Sequence, residues 1–172
     1  VAQLTAFSLK GWIDAHRDQL EPPVGNALVF QDADFQVMIV GGPNKRNDYH
    51  LDPGEELFYQ LEGDIVLKVV EDGKPRDIPI REGEMLLLPP NVPHSPQRGP
   101  HTVGMVLERR RAPDEEDRFR WYCEHCHAVV HEAVLHVSDL GTQLKPVMEA
   151  YRNDPRLRTC PACGKVNPPA GG

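Results

Sequence analysis

A chain of 172 residues, 40% hydrophobic and 26% charged, can bury a core, and one domain with an appendage is the natural expectation. Its net charge of −7, with the basic cluster Arg109-Arg110-Arg111 followed at once by the acidic run Asp114-Glu115-Glu116-Asp117, argues against nucleic acid as a partner, because that binding depends on neutralising phosphates. No apolar run approaches the roughly 18 residues of a membrane span, and the opening VAQLTAFSLKGW lacks the basic-then-apolar pattern of a signal peptide, so a cytoplasmic protein with no membrane partner is expected.

From Ser8 to Leu20 the spacing of Leu9, Trp12, Ile13, His16 and Leu20 predicts a short helix capped by Ser8 and stopped by Pro22-Pro23 and Gly25. Short apolar runs separated by turns follow: Ala27–Phe30, Phe35–Val40, Leu57–Leu61, Ile65–Val70, Ile78–Ile80, Met85–Leu88 and Val103–Leu107. Asp72-Gly73 between two of them is a hairpin signal. Many short strands at this spacing predict a jelly-roll sandwich or barrel. The charged stretch Arg111–Arg120, with Pro113, reads as a linker, which divides the chain into 1–112, the barrel with its N-terminal helix, and 113–172, a C-terminal extension. Within the extension a strand is expected over Ala128–Val137. A helix is expected around Pro146–Tyr151, with Pro146 tolerable only in the first turn. The tail after Val166 reads as disordered or nearly so.

Two stretches of the barrel carry residues suited to chemistry. One runs from Asp48 through His50 and Asp52 to Glu55-Glu56, and the other from Gly83 through Pro89-Pro90 to His94. Two histidines and a carboxylate on strands of one barrel form a ligand set that suits Fe(II) with open positions. Strand alternation lets only one of Glu55 and Glu56 face the interior, and Glu56 is taken as the ligand. Arg98, four residues after His94, is close enough along the chain to line the same pocket and to pair with a substrate carboxylate. His16, His101, His131 and His136 carry no such pattern and are read as structural or solvent-facing. Cys123/Cys126 and Cys160/Cys163 have the spacing of paired metal knuckles, which four thiolates would close around zinc or a single iron.

The two barrel stretches resemble the paired motifs of the cupin superfamily. His50, Glu56 and Gly63 match the first, with six residues between Glu56 and Gly63, and Gly83, Pro89 and His94 match the second. One departure is Asp52, which stands where many cupins have a second histidine. The stretches PPVGN, GGPNKRNDYH, EELFYQLEG, LLLPPNVPHSPQR and WYCEHC…CPACG together resemble bacterial 3-hydroxyanthranilate 3,4-dioxygenases over nearly the whole chain.

That resemblance implies an all-β-dominated cupin barrel (a double-stranded β-helix) with a few short helices and a rubredoxin-like pair of metal knuckles. It implies Fe(II) on His50, Glu56 and His94, and a second, structural iron or zinc on Cys123, Cys126, Cys160 and Cys163. The substrates implied are 3-hydroxyanthranilate and O2. The product, 2-amino-3-carboxymuconate semialdehyde, closes to quinolinate in the kynurenine route from tryptophan towards NAD. Arg98 would bind the substrate carboxylate, Arg46 would face bound oxygen or the reacting ring, and Asp48 would orient a ligand or Arg46. Glu108 would be the acid-base residue by the substrate's amino and hydroxyl groups, and Asn26 a polar residue at the pocket mouth. Only one of Glu108 and Arg109 can point inward, and the resemblance favours Glu108. A homodimer is implied too. The rival readings are a cupin dioxygenase of a related carboxylated aromatic, a non-catalytic metal-binding cupin sensor, and a zinc-ribbon nucleic-acid protein, which the charge disfavours.

Overall fold

The computed structural model describes residues 5–22, 25–30, 33–44, 46–138 and 140–169. Pro23 of the expected helix stop and Lys45 of the first motif region lie outside them.

Eleven strands among the described residues form two antiparallel sheets. The first runs β1 (Asn26–Leu28), β2 (Phe35–Gly41), β9 (Val103–Arg109), β4 (Glu56–Glu62) and β7 (Met85–Leu88) in spatial order. The second runs β11 (Val129–Leu135), β10 (Asp117–Tyr122), β3 (Asp48–Leu51), β8 (His94–Arg98), β5 (Ile65–Glu71) and β6 (Lys74–Ile80). Asp72 and Gly73 both take positive φ (51° and 74°), so the β5–β6 connection is the two-residue hairpin that Asp-Gly favours.

Alternation decides what faces inward. In β4, Glu56, Phe58 and Gln60 are buried while Leu57, Tyr59 and Leu61 are half-buried on the outer face. The central core between the sheets joins Phe58, Val106 and Leu88 from the first to Ile65, Leu67 and Val69 from the second. A second cluster lies under the helix α1 (Leu9–Ala15) and a 3-10 turn (Arg17–Leu20), where Ile13 and Leu20 meet Ile39 and Val103. Ser8 caps α1 through the Gly11 amide at 3.1 Å. A third cluster packs Phe119 and Trp121 of β10 against Tyr151 of the helix α2 (Leu140–Asn153), which is followed by the short α3 (Pro155–Arg158).

Several expectations need correcting. The stretch read as a linker contains β10, which pairs with β3 through Phe119 opposite His50. The sheet therefore continues across the 112/113 boundary. Strands β3 and β8 were not anticipated, because their inward positions are polar and no apolar alternation marks them. Pro146 lies inside α2 rather than in its first turn, so that helix does without one amide donor. Asn167, in the supposedly disordered tail, is 5% exposed and donates to the Tyr122 carbonyl at 2.8 Å. Residues 170–172 of that tail lie outside the described residues.

Candidate active site

His50 in β3 sits opposite His94, the first residue of β8, with ring centroids 5.2 Å apart. Glu56 opens β4 in the facing sheet, so its carboxylate meets both imidazoles across the interior. Glu56 Oε1 lies 3.0 Å from His94 Nε2 and 3.4 Å from His50 Nδ1. All three residues are at most 6% exposed, whereas Glu55 is fully on the outside.

The far nitrogen of each ring is already engaged. His94 Nδ1 meets the Val92 carbonyl at 2.9 Å, and His50 Nε2 meets Asp117 Oδ1 at 2.7 Å, while Phe119 stacks on the His50 ring at 4.8 Å. These contacts turn the remaining nitrogens towards Glu56, as second-sphere partners of metal-binding histidines do. Glu56 Oε1 is buried with no hydrogen-bond partner. A bare buried carboxylate oxygen is costly unless a cation faces it. Burial works against charge on both partners. Even so, Asp117 and Glu56 hold His50 up at about 10, and His94 and His50 hold Glu56 well below the usual carboxylate range. The cleft is thus built for positive charge, and two nitrogens with one carboxylate oxygen fit a ferrous ion that keeps open positions.

Behind this triad lies a buried ionic cluster. Arg111, with a side chain 2% exposed, reaches Asp117 Oδ1 at 2.6 Å, Asp52 Oδ2 at 2.7 Å and Glu108 Oε1 at 3.2 Å. Its contacts with Asp117 are well-formed hydrogen bonds. The Asp52 and Glu108 oxygens are near enough for ion pairing but out of line for one. Glu108 is buried and Arg109 exposed, and Glu108 stands directly opposite Glu56 across β9 and β4. Burial, and then the Glu56 charge, push Glu108 up to about 8.

The inner face of the first sheet forms three cross-strand rows. Leu88, Glu56, Glu108 and Gln36 make a row containing both carboxylates; Leu86, Phe58, Val106 and Met38 make an apolar one; Gln60, Gly104, Val40 and Asn26 make the third. Arg98, at the end of β8, is 4% exposed and donates to Gln60 Oε1 at 3.3 Å. A side chain on Gly104 would collide with its guanidinium, since a Cβ there would lie 2.7 Å from Nη1. Among the described residues no carboxylate pairs with Arg98. Burial and the nearby Arg46 lower it to about 10. Arg46 itself is held by Asp48, with Nε to Oδ1 at 3.1 Å. Asn26 ends the row of Gln60, Gly104 and Val40 on the edge strand β1, two rows away from Glu56.

Two residues that sequence reasoning missed, Arg111 and Asp117, fell inside the supposed linker. The signal that could have found Asp117 is the alternation of Asp117, Phe119 and Trp121 inward with Arg118 and Arg120 outward. Of the histidines given no role, His16 stacks on Trp12 at 4.1 Å and His136 Nδ1 meets the Glu115 carbonyl at 2.8 Å.

The four cysteines meet where β10 ends and α3 ends. Cys123 and Cys163 sulfurs are 3.7 Å apart, and those of Cys126 and Cys160 are 3.6 Å apart. A tetrahedron of thiolates around a metal at the usual zinc–sulfur length has edges of about 3.8 Å, so the pairs are already at ligand spacing. In both knuckles the residue after the second cysteine takes positive φ: Gly164 at 73°, without strain, and His127 at 60°. Backbone amides of Cys126 and His125 lower the Cys123 thiol to about 6. In Cys126 the Ala128 amide works the same way, but burial and the three neighbouring sulfurs outweigh it and raise that thiol to about 12.

Comparison with known proteins adds three findings. The family model described as 3-hydroxyanthranilic acid dioxygenase matches residues 1–152. The chain is 51% identical to a 3-hydroxyanthranilate 3,4-dioxygenase of Jannaschia sp. over 98% of this chain and 94% of the relative. It is 54% identical to one of Neurospora crassa over 91% and 87%. Among solved structures, a protein of Neisseria meningitidis aligns with a TM-score of 0.50 at 20% identity over 61% of this chain and 99% of that one. A cupin-2 domain protein of Shewanella frigidimarina aligns with a TM-score of 0.48 at 19% identity over 57% and 92%.

Proposed function

The chain belongs to the 3-hydroxyanthranilic acid dioxygenase family, and from that premise we propose that its barrel opens the ring of 3-hydroxyanthranilate with O2, at an iron(II) held by His50, Glu56 and His94. The observation that carries this reading is the pairing of two unsatisfied charges: the buried Glu56 oxygen that lacks a hydrogen bond, and Arg98, which lacks a carboxylate. Glu56 and Gln60, the Arg98 partner, are four residues apart on β4, about 13 Å of strand. The apolar row of Phe58, Val106 and Met38 lies between them. A flat ring with two metal-binding groups on one edge and a carboxylate beside them fits that sequence of surfaces.

Iron(II) would orient the substrate and O2 and activate both. The protein supplies the rest. Arg98 pairs bidentately with the carboxylate, and the apolar row excludes water from the ring face. Glu108, across from Glu56, takes the proton released by the 3-hydroxyl, and Arg46, fixed by Asp48, faces the reacting edge. Asn26 lines the mouth. The product is 2-amino-3-carboxymuconate semialdehyde, which leads to quinolinate in the kynurenine route.

The four cysteines hold a structural iron or zinc, and a cytoplasmic location keeps such thiols reduced. The segment 113–172 is an extension that contributes Asp117 to the barrel and then carries this second metal. A homodimer belongs to the same reading. Its support is the outer row Val37, Leu107, Leu57 and Leu87, half-buried in its first three residues and ending on the edge strand β7 with Leu87 56% exposed. Leu87→Asp should yield monomers in sedimentation.

Oxygen uptake tests the activity. Iron-loaded protein should consume one O2 per 3-hydroxyanthranilate and turn over 2-aminophenol, which lacks the carboxylate, far less well. No uptake with either would favour the sensor reading, and equal rates would remove Arg98 from substrate binding.

A further inference from the structure

Three carboxylates in this barrel stand close enough to share one cation: oxygens of Asp52, Glu56 and Glu108 lie within 4.8 Å of one another, and Asp52 is equally close to His50 and Asp117. A cation in the cleft would therefore find more anionic donors than the triad alone. Every extra ligand would occupy a position that a chelating substrate needs. Arg111 faces the surplus. Its guanidinium meets Asp52, Glu108 and Asp117 together, while Nη1 also donates to the Arg109 carbonyl at 3.1 Å. The Asp52 and Glu108 oxygens on that side have no hydrogen bond of their own, so Arg111 is the charge that holds them. The planar fork spreads its charge over separate nitrogens, Nη2 towards Asp52 and Asp117 and Nη1 towards Glu108.

We propose that Arg111 is a positioning residue for the metal centre: it keeps Asp52 off the cation and so preserves the open positions beside His50, Glu56 and His94. The inference rests on the reading of those three residues as metal ligands. Asp52 is the carboxylate most ready to move in. It sits in the turn after β3, anchored through its other oxygen by the Gly54 amide at 2.6 Å, whereas Glu108 is fixed within a paired strand. Asp117 is tied to His50 and to two nitrogens of Arg111.

Cobalt(II) is the probe, added to full-length protein whose four-cysteine site already carries zinc; affinity and the visible d–d bands, which report the donor set, are read without substrate. Arg111→Met should bind cobalt at least about tenfold more tightly with shifted bands, and Arg111→Met with Asp52→Asn should return both towards wild type. Asp52→Asn alone, which keeps Arg111 and the fold, should leave the wild-type bands unchanged. Unchanged affinity in Arg111→Met, or tighter binding with unchanged bands, would overturn the proposal, the latter by reducing the effect to charge. Altered bands in Asp52→Asn would overturn it too, because Asp52 would already be a ligand. A wild-type protein that takes up no cobalt in the barrel would remove the reading beneath the proposal, and a band shift confined to Arg111→Met, and lost again when Asp52→Asn is added, would support both.

Discussion

The barrel centre and the cysteine centre solve the same problem in opposite ways. The thiolate site is assembled from two short turns, the first drawing backbone amides onto its sulfurs and the second closing through the Gly164 amide on the Cys160 carbonyl, and four soft donors would leave no position open. Two of its cysteines, Cys126 and Cys163, are exposed. The proposed barrel site would draw one donor from each of three strands in two sheets, all of them buried, with further carboxylates of Asp52 and Glu108 close by. Of its histidines, His94 is aimed by the nearby Val92 carbonyl and His50 by Asp117, 67 residues away in sequence. A closed local site can anchor a chain end, whereas an open, long-range site needs the whole sandwich to hold its geometry and keeps room for reactants. The strand β10 joins them: Asp117 at its start holds His50, and Cys123 follows its end, about 20 Å along the strand.

Mutations should separate the two centres in a graded way. Glu56→Ala should bring activity to background and empty the barrel of metal, with the cysteine metal still stoichiometric; metal analysis beside product formation checks this. Arg98→Ala should weaken substrate binding by about 2–5 kcal/mol, since it leaves a carboxylate unpaired in a buried pocket. Arg98→Lys should recover part of that, and the effect should appear in KM before kcat. Asp117→Asn should cost about 10–100-fold in metal affinity or turnover, although Asp117 lies in the extension. Such a result would show β10 to be part of the catalytic body. Cys160→Ser should have the smallest effect on chemistry. Its melting temperature should fall because metal binding and local folding are coupled there, while turnover per barrel iron stays unchanged.

What the sequence disclosed follows the same division. The cysteine knuckles were readable because only two residues separate the ligands within each pair, and local spacing is what a motif records. The strands β2, β4, β5 and β9 were readable as short apolar runs separated by turns. Three polar strands were not. β3 and β8 spend their inward positions on Asp48, His50, His94 and Arg98, and β10 begins on Asp117 inside a charged stretch. Where a strand's interior side carries ionic chemistry, the hydrophobic signal that identifies strands disappears. Arg111 was hidden for a related reason: three consecutive arginines look like a solvated cluster, and β9 ends at Arg109, so only the buried ion pairs with Asp52, Glu108 and Asp117 single Arg111 out. Glu108 was placed by resemblance, and the register of β9 against β4 gives the physical reason.

The central claim is that the barrel triad, and not the thiolate cluster, holds the metal that reacts with O2. Two preparations of the same chain test it most directly: one with iron in the barrel and zinc on the four cysteines, the other with zinc in the barrel and iron on the cysteines. Oxygen consumption with 3-hydroxyanthranilate is measured for both. The account predicts one O2 per substrate with full turnover in the first and none in the second. Turnover that follows the cysteine iron would contradict it.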